Sequence, residues 1–200
     1  HFYLGSQRTG KGTAIISGEG SAWNGQSGVW VGQAGSGELN LIDGGSINDS
    51  SLQIADAQRS VGVVNVGGKA GEAAAAAGNL NVGEIVFNGN GGGSDGTLNF
   101  NTNDGLTVAA TIRSGSAGAG TINQIAGTTI LTGDDSAFSG ITNVNGGYLL
   151  LGNGAALGGT LNVAAGGTFG GDGVVKGTTS FGNGATLYGQ SGQQLTFENS

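Results

Sequence analysis

The chain contains no proline, no cysteine and no methionine, and its single histidine stands at position 1. Proline cannot donate a ladder hydrogen bond, so its absence suits a chain built almost wholly of paired central strands. Without cysteine there is no disulfide framework, no thiolate metal site and no cysteine nucleophile. Without an internal histidine, a Ser–His–Asp arrangement lacks its base. The missing methionine implies a processed or excised chain rather than a reading frame that starts at residue 1. No apolar run approaches the roughly 18 residues that span a bilayer, and no signal peptide is recognisable.

Charge is scarce as well. Six basic residues stand against thirteen acidic ones, giving a pI near 4.3. A phosphate-binding surface needs clustered Lys or Arg, whereas Arg8, Lys11, Arg59, Lys69, Arg113 and Lys176 are scattered singly. Nucleic acid is therefore not an expected partner. The 46 glycines could belong to a disordered chain, but 36% hydrophobic and only 10% charged residues is the opposite of the disordered balance.

What the chain does have is a repeat. Apolar–Asn–apolar triplets occur as LNL at Leu39 to Leu41, VNV at Val64 to Val66, LNV at Leu80 to Val82, LNF at Leu98 to Phe100, and LNV at Leu161 to Val163; TNV at Thr142 to Val144 is a variant. Ala14–Ile16, Leu39–Leu41 and Val64–Val66 recur every 25 residues. A second track, Val29–Val31, Leu52–Ile54 and Leu80–Val82, interleaves with the first. Two short strands per coil of about 20–30 residues is a solenoid signature. Longer coils are expected over about 12–126 and tighter ones over about 127–200, with the register between about 84 and 125 left open. Several triplets run into paired glycines, which take φ > 0 cheaply at corners. The frequent glycines oppose helix, and Ala73 to Ala77 is too short for more than a turn or two.

Because side chains alternate faces along a strand, flanking apolar residues that point inward send the central Asn outward. The inward set is then Leu39, Leu41, Val64, Val66, Leu80, Val82, Leu98, Phe100, Leu161 and Val163, with exposed asparagines between them. Stacked coils would place Asn over Asn, either as hydrogen-bonded ladders or as plain solvated positions.

The segment Ile16 to Ile47 resembles the repeats of bacterial autotransporter passenger domains, the exported arms of type V secretion. Gly127 to Gly177 closely resembles the autotransporter-associated β-strand repeat. The matching elements are Ile130 to Gly133, Phe138 to Gly140, Val144 to Gly147 and Gly159 to Gly167. The resemblance implies an all-β chain forming a right-handed parallel β-helix of about 8–10 coils, as one segment over residues 1–200. It also implies export through the outer membrane of a Gram-negative bacterium, as a cell-surface or secreted passenger fragment tethered in its precursor to a C-terminal outer-membrane barrel absent from this chain. Many members of the family are adhesins, self-associating proteins or biofilm factors. Implied partners are a host-cell surface protein or glycan, or another copy of the chain.

Candidate chemistry is thin, and no cofactor or metal is expected. A polysaccharide-cleaving β-helix enzyme needs converging carboxylates with basic residues to hold an acidic sugar. Asp134-Asp135 and the NTND stretch ending at Asp104 are the nearest approach, and turn capping explains the acid pair more simply. Asn90 to Leu98 is similar to one imperfect calcium-binding nonapeptide, where the ion needs adjacent copies. The recognition candidates are Trp23 and Trp30. Trp30, between two valines, points outward by alternation and offers an indole to a sugar or a partner, unless a side loop containing Trp23 covers it. Adhesion or self-association is thus the leading expectation, an inert stalk for an active region elsewhere the second, and an enzyme the last.

Overall fold

The computed structural model describes residues 1–87, 92–116 and 120–199. The first two coils contain β1 (Phe2–Leu4), β2 (Lys11–Ser17), β3 (Ala22–Asn24), β4 (Val29–Val31), β5 (Ser36–Ile42) and β6 (Ser46–Ile54). The next two contain β7 (Val61–Gly67), β8 (Asn79–Phe87), β9 (Asp95–Val108) and β10 (Thr111–Ser114). Then follow β11 (Thr121–Leu131), β12 (Asp134–Asp135), β13 (Ile141–Val144), β14 (Gly147–Leu157), β15 (Thr160–Val163) and β16 (Gly167–Val175). The last coil holds β17 (Thr178–Phe181), β18 (Thr186–Tyr188) and β19 (Leu195–Phe197).

The fold is an all-β parallel solenoid. One wall stacks eight strands in the order β2, β5, β7, β9, β11, β13, β15, β17, each paired in parallel with the next. Seven steps of about 4.8 Å make this wall about 34 Å tall. A second wall runs β1, β4, β6, β8, β10, with β3 also paired to β6. In the later coils β14, β16, β18 and β19 continue the same sheet, joined to the first wall through the C-terminal half of β11.

The coil length can be read from register. Ala14, Leu39, Val64, Leu98, Ile122, Thr142, Leu161 and Thr179 are successive partners, separated by 25, 25, 34, 24, 20, 19 and 18 residues. The 34-residue step, which breaks the sequence period, includes an excursion over residues 68–78. That excursion contains the alanine run, which is not helical: Ala75 and Ala77 make isolated bridges to Thr102 and Ile42. Two register irregularities between Gln124 and Thr128 disturb the next coil. The second sequence track also needs one correction. Leu52 is covered by Ile85, while Leu80 stacks on Ile47, because β6 and β8 are long enough to carry two inward positions each beyond a bend.

All ten residues of the inward set are buried. Their asparagines point to the opposite face, and those of the first wall form a continuous ladder with Asn123 and Asn143. Asn65 Nδ2 donates to Asn40 Oδ1 at 2.9 Å, Asn99 to Asn65 at 2.8 Å, Asn123 to Asn99 at 2.9 Å, Asn143 to Asn123 at 3.0 Å and Asn162 to Asn143 at 3.2 Å. Ser180 Oγ donates to Asn162 Oδ1 to end it, and Asn40 donates to Glu38 at the other end. A second, shorter ladder joins Asn81, Asn48 and Asn24.

The expected exposure of the first ladder does not hold throughout. Asn40, Asn65 and Asn99 are buried, Asn65 to 1% exposure, and only the later members are half-open. The cause is the 68–78 excursion: Lys69, Glu72, Ala73 and Ala75 line a small hollow against Asn40. Lys69 ties the excursion down through a 2.7 Å ion pair with Glu38, and Asn101 Nδ2 donates to the carbonyls of Lys69 and Glu72. The Lys69 hydrogen bond holds the Glu38 carboxyl below its ordinary range.

Corners follow the paired glycines. Gly159 sits at φ 72° with the Gly140 carbonyl of the coil below 2.3 Å from where a Cβ would stand, so no side chain fits. In the IDGG corner Asp43 itself takes φ 54°, a conformation Asp tolerates better than most residues.

Leu161→Ala should lower unfolding free energy by about 2–5 kcal/mol in denaturant titrations. The ladder makes a graded prediction. Asn99→Ala leaves the buried Asn65 Oδ1 without its donor and the half-open Asn123 Nδ2 without its acceptor and should cost on the order of 1–3 kcal/mol, whereas Asn162→Thr, at the half-open end, should cost under about 1 kcal/mol. Equal losses at the two sites would mean the ladder carries no stability.

Candidate functional site

The two tryptophans lie on opposite faces of the wall. Val29 and Val31 are fully buried, so Trp30 between them faces out, as alternation requires. Its ring lies 5.0 Å from that of Tyr3, the register partner one rung away, and 5.0 Å from His1. No side loop containing Trp23 covers it. Trp23 belongs to β3, registers with buried Ile47 and packs against the core. It stacks on Phe2 at 4.4 Å with an interplanar angle of 26°, and its indole N–H donates to Asp49 Oδ2 at 3.4 Å. Asp49 also accepts from the amides of Gly28 at 2.6 Å and Ser50 at 2.7 Å. Burial pushes the Asp49 carboxyl up, but these bonds outweigh it and hold the group below its ordinary range. Trp23 is therefore a half-buried plug that packs against the core and borders a hollow with Phe2 and Ile16, while Trp30 faces outward.

A second outward aromatic site has no counterpart in the repeat pattern. Along the wall formed by β14, β16 and β18, the outward column reads Leu150, Gly170, Tyr188. Beside this column a hollow of about 320 Å³ lies between Leu150 and Tyr188, with Gly152 and Gly171 in its wall and Asp172, Gln190 and Gln193 around it. Tyr148, 47% exposed, meets Tyr188 edge-on at 6.4 Å on the same face. A tyrosine ring beside amide and carboxylate groups can stack on a polar ring and hydrogen-bond its substituents. The members come from three successive rungs, so no local stretch of sequence displays the set.

The acidic candidates separate. Asp104 lines a groove of about 380 Å³ together with Glu19 and Asp43. Both Asp104 oxygens accept from the Ala77 amide, at 3.2 and 3.3 Å, and Asp43 accepts from the Ser17 hydroxyl at 3.3 Å. No basic residue lines the groove to hold an acidic sugar. Among the described residues there is no group of three His, Cys, Asp or Glu placed to hold a metal ion. Of the calcium-like nonapeptide, Asn90 and Gly91 lie outside the described residues, while Asp95 starts β9 opposite Val61. The Asp134-Asp135 pair is a turn cap only in part. Asp134 is exposed and accepts the Ser136 amide, whereas Asp135 is wholly buried, contrary to a solvated turn.

No protein-family model, curated protein or solved structure matches the chain.

Trp23→Ala should reduce stability by about 2 kcal/mol or more, because it opens the end of the core, and Trp30→Ala by less than about 1 kcal/mol. Thermal melts of the two single variants check this; the reverse order would place Trp30, not Trp23, in the packing.

Proposed function

We propose that this chain is a surface-displayed or secreted segment of an autotransporter passenger that acts in adhesion or self-association. The observation that carries the reading is the set of aromatic side chains on the outer face that the core does not use: Tyr3 with Trp30, and Tyr148 with Tyr188. A side chain left half-open on a wall whose neighbouring positions are small or polar is available to a host-cell protein, a glycan or another copy of the chain. The repeat elements around Val144 to Gly147 and Gly159 to Gly167 support the family assignment and, with it, export to the cell surface.

One observation favours the alternative of an inert stalk. The first wall commits its outward asparagines to bonding between coils, which serves height and rigidity rather than recognition. The two readings part on a binding experiment. Beads coated with the chain should adhere to epithelial cells or aggregate with one another, and Tyr3→Ala with Trp30→Ala, or Tyr148→Ala with Tyr188→Ala, should reduce this by about tenfold or more without a change in melting. Wild-type beads that neither adhere nor aggregate would leave the stalk as the function.

A further inference from the structure

The second wall of the long coils ends at β10, and the next strand on that side, β12, pairs with β14 instead. Between β10 and β12 the regular ladder is replaced by three bonds. The Ile112 amide donates to Asp135 Oδ1 at 2.6 Å, the Ser114 amide donates to the Ala137 carbonyl at 3.2 Å, and the Ser139 amide donates to Ser114 Oγ at 3.0 Å. This seam is where the long coils meet the tight ones. A carboxylate occupies the place of a backbone carbonyl there, its residue 0% exposed, and its Oδ2 has no hydrogen-bond partner among the described residues.

We propose that Asp135 makes the seam a pH-sensitive joint, locked while its carboxyl is protonated and loosened when it ionises. A neutral acid leaves one modestly costly polar atom unpaired, whereas a buried carboxylate with a bare oxygen must draw water or move. Burial is the main cause that pushes this carboxyl up, to about 7, with the neighbouring Asp134 adding to it and the Ile112 amide opposing it. Other charges lie further off: Lys176 acts on Asp134, Arg113 of β10 is held by Glu84 at 2.9 Å, and β14 opposite contributes only Ala156 and Leu157.

The direction follows from the raised value. Between the ordinary carboxyl range near 3.8 and about 7, the folded chain holds a proton that the unfolded chain has lost. The stabilisation is therefore complete in acid and disappears as pH rises through neutrality. The joint is independent of whether the chain adheres or only extends.

Two measurements on the full chain test it. Carbon-detected NMR of the Asp135 carboxyl should show it titrating near 7. Hydrogen exchange, corrected for intrinsic rates, should show protection at Ile112, Phe138 and Gly158 falling about tenfold between about pH 5.5 and 8.5 relative to Leu39 and Val64. Asp135→Asn, which keeps the acceptor for Ile112 and cannot ionise, should abolish that fall. An Asp135 that titrates below about 5, or a seam whose protection does not change with pH, would overturn the proposal, and so would an equal fall in Asp135→Asn.

Discussion

Everything in this molecule depends on parallel, in-register pairing of one coil with the next. Each wall strand gives its N–H and C=O groups to the coils above and below, so the backbone polarity of the interior is met by neighbours rather than by solvent. Pairing in register has a second consequence: each side-chain position repeats on itself. A residue that suits one rung suits all of them, and the sequence becomes periodic for that reason. The absence of proline belongs to the same constraint, since a missing N–H in a central rung would cost a ladder bond.

The stack divides the side chains by direction. Inward columns hold Leu, Val, Ile and Phe, and supply the hydrophobic stabilisation. The outward column of the first wall turns identity into chemistry, because an amide is both donor and acceptor and can bond to its own copy a rung away. From Asn65 to Asn162 each Nδ2 donates to the preceding coil, so the ladder has a polarity, closed by Glu38 on Asn40's own strand at one end and by Ser180 at the other. The second wall has only the short column of Asn24, Asn48 and Asn81, and its outward Tyr3 and Trp30 stack ring against ring on adjacent rungs.

The periodic features were legible in the sequence because local pattern and global fold impose the same repeat. The triplets located the inward columns, and Leu39, Val64, Leu98 and Leu161 all lie where alternation puts them. Trp30 was legible for the same reason. What escaped the reading depends on contacts between distant rungs. The excursion over 68–78 buries Asn40 and Asn65 without leaving a trace in their own strands. Trp23 turned out to face inward because β3 registers with Ile47, and nothing in "AWN" fixes that face. Gln124 interrupts the apolar column between Phe100 and Val144, where its Nε2 donates to the carbonyls of Ala126 and Gly127. The tyrosine hollow is assembled from β14, β16 and the last coil, and Asp135 is buried by a seam that no local motif marks.

The most direct test of the in-register solenoid uses the chain's lack of cysteine. Thr160 and Thr178 are register partners on adjacent rungs, 18 residues apart, and their hydroxyls lie 3.3 Å from each other. Neighbouring strands at about 4.8 Å are within the Cα range a disulfide accepts. Thr160→Cys with Thr178→Cys should form an intramolecular disulfide readily under mild oxidation, while Thr160→Cys with Thr186→Cys should remain reduced. Rapid closure of the second pair, or failure of the first in a folded monomer, would contradict the stacking on which every other feature rests.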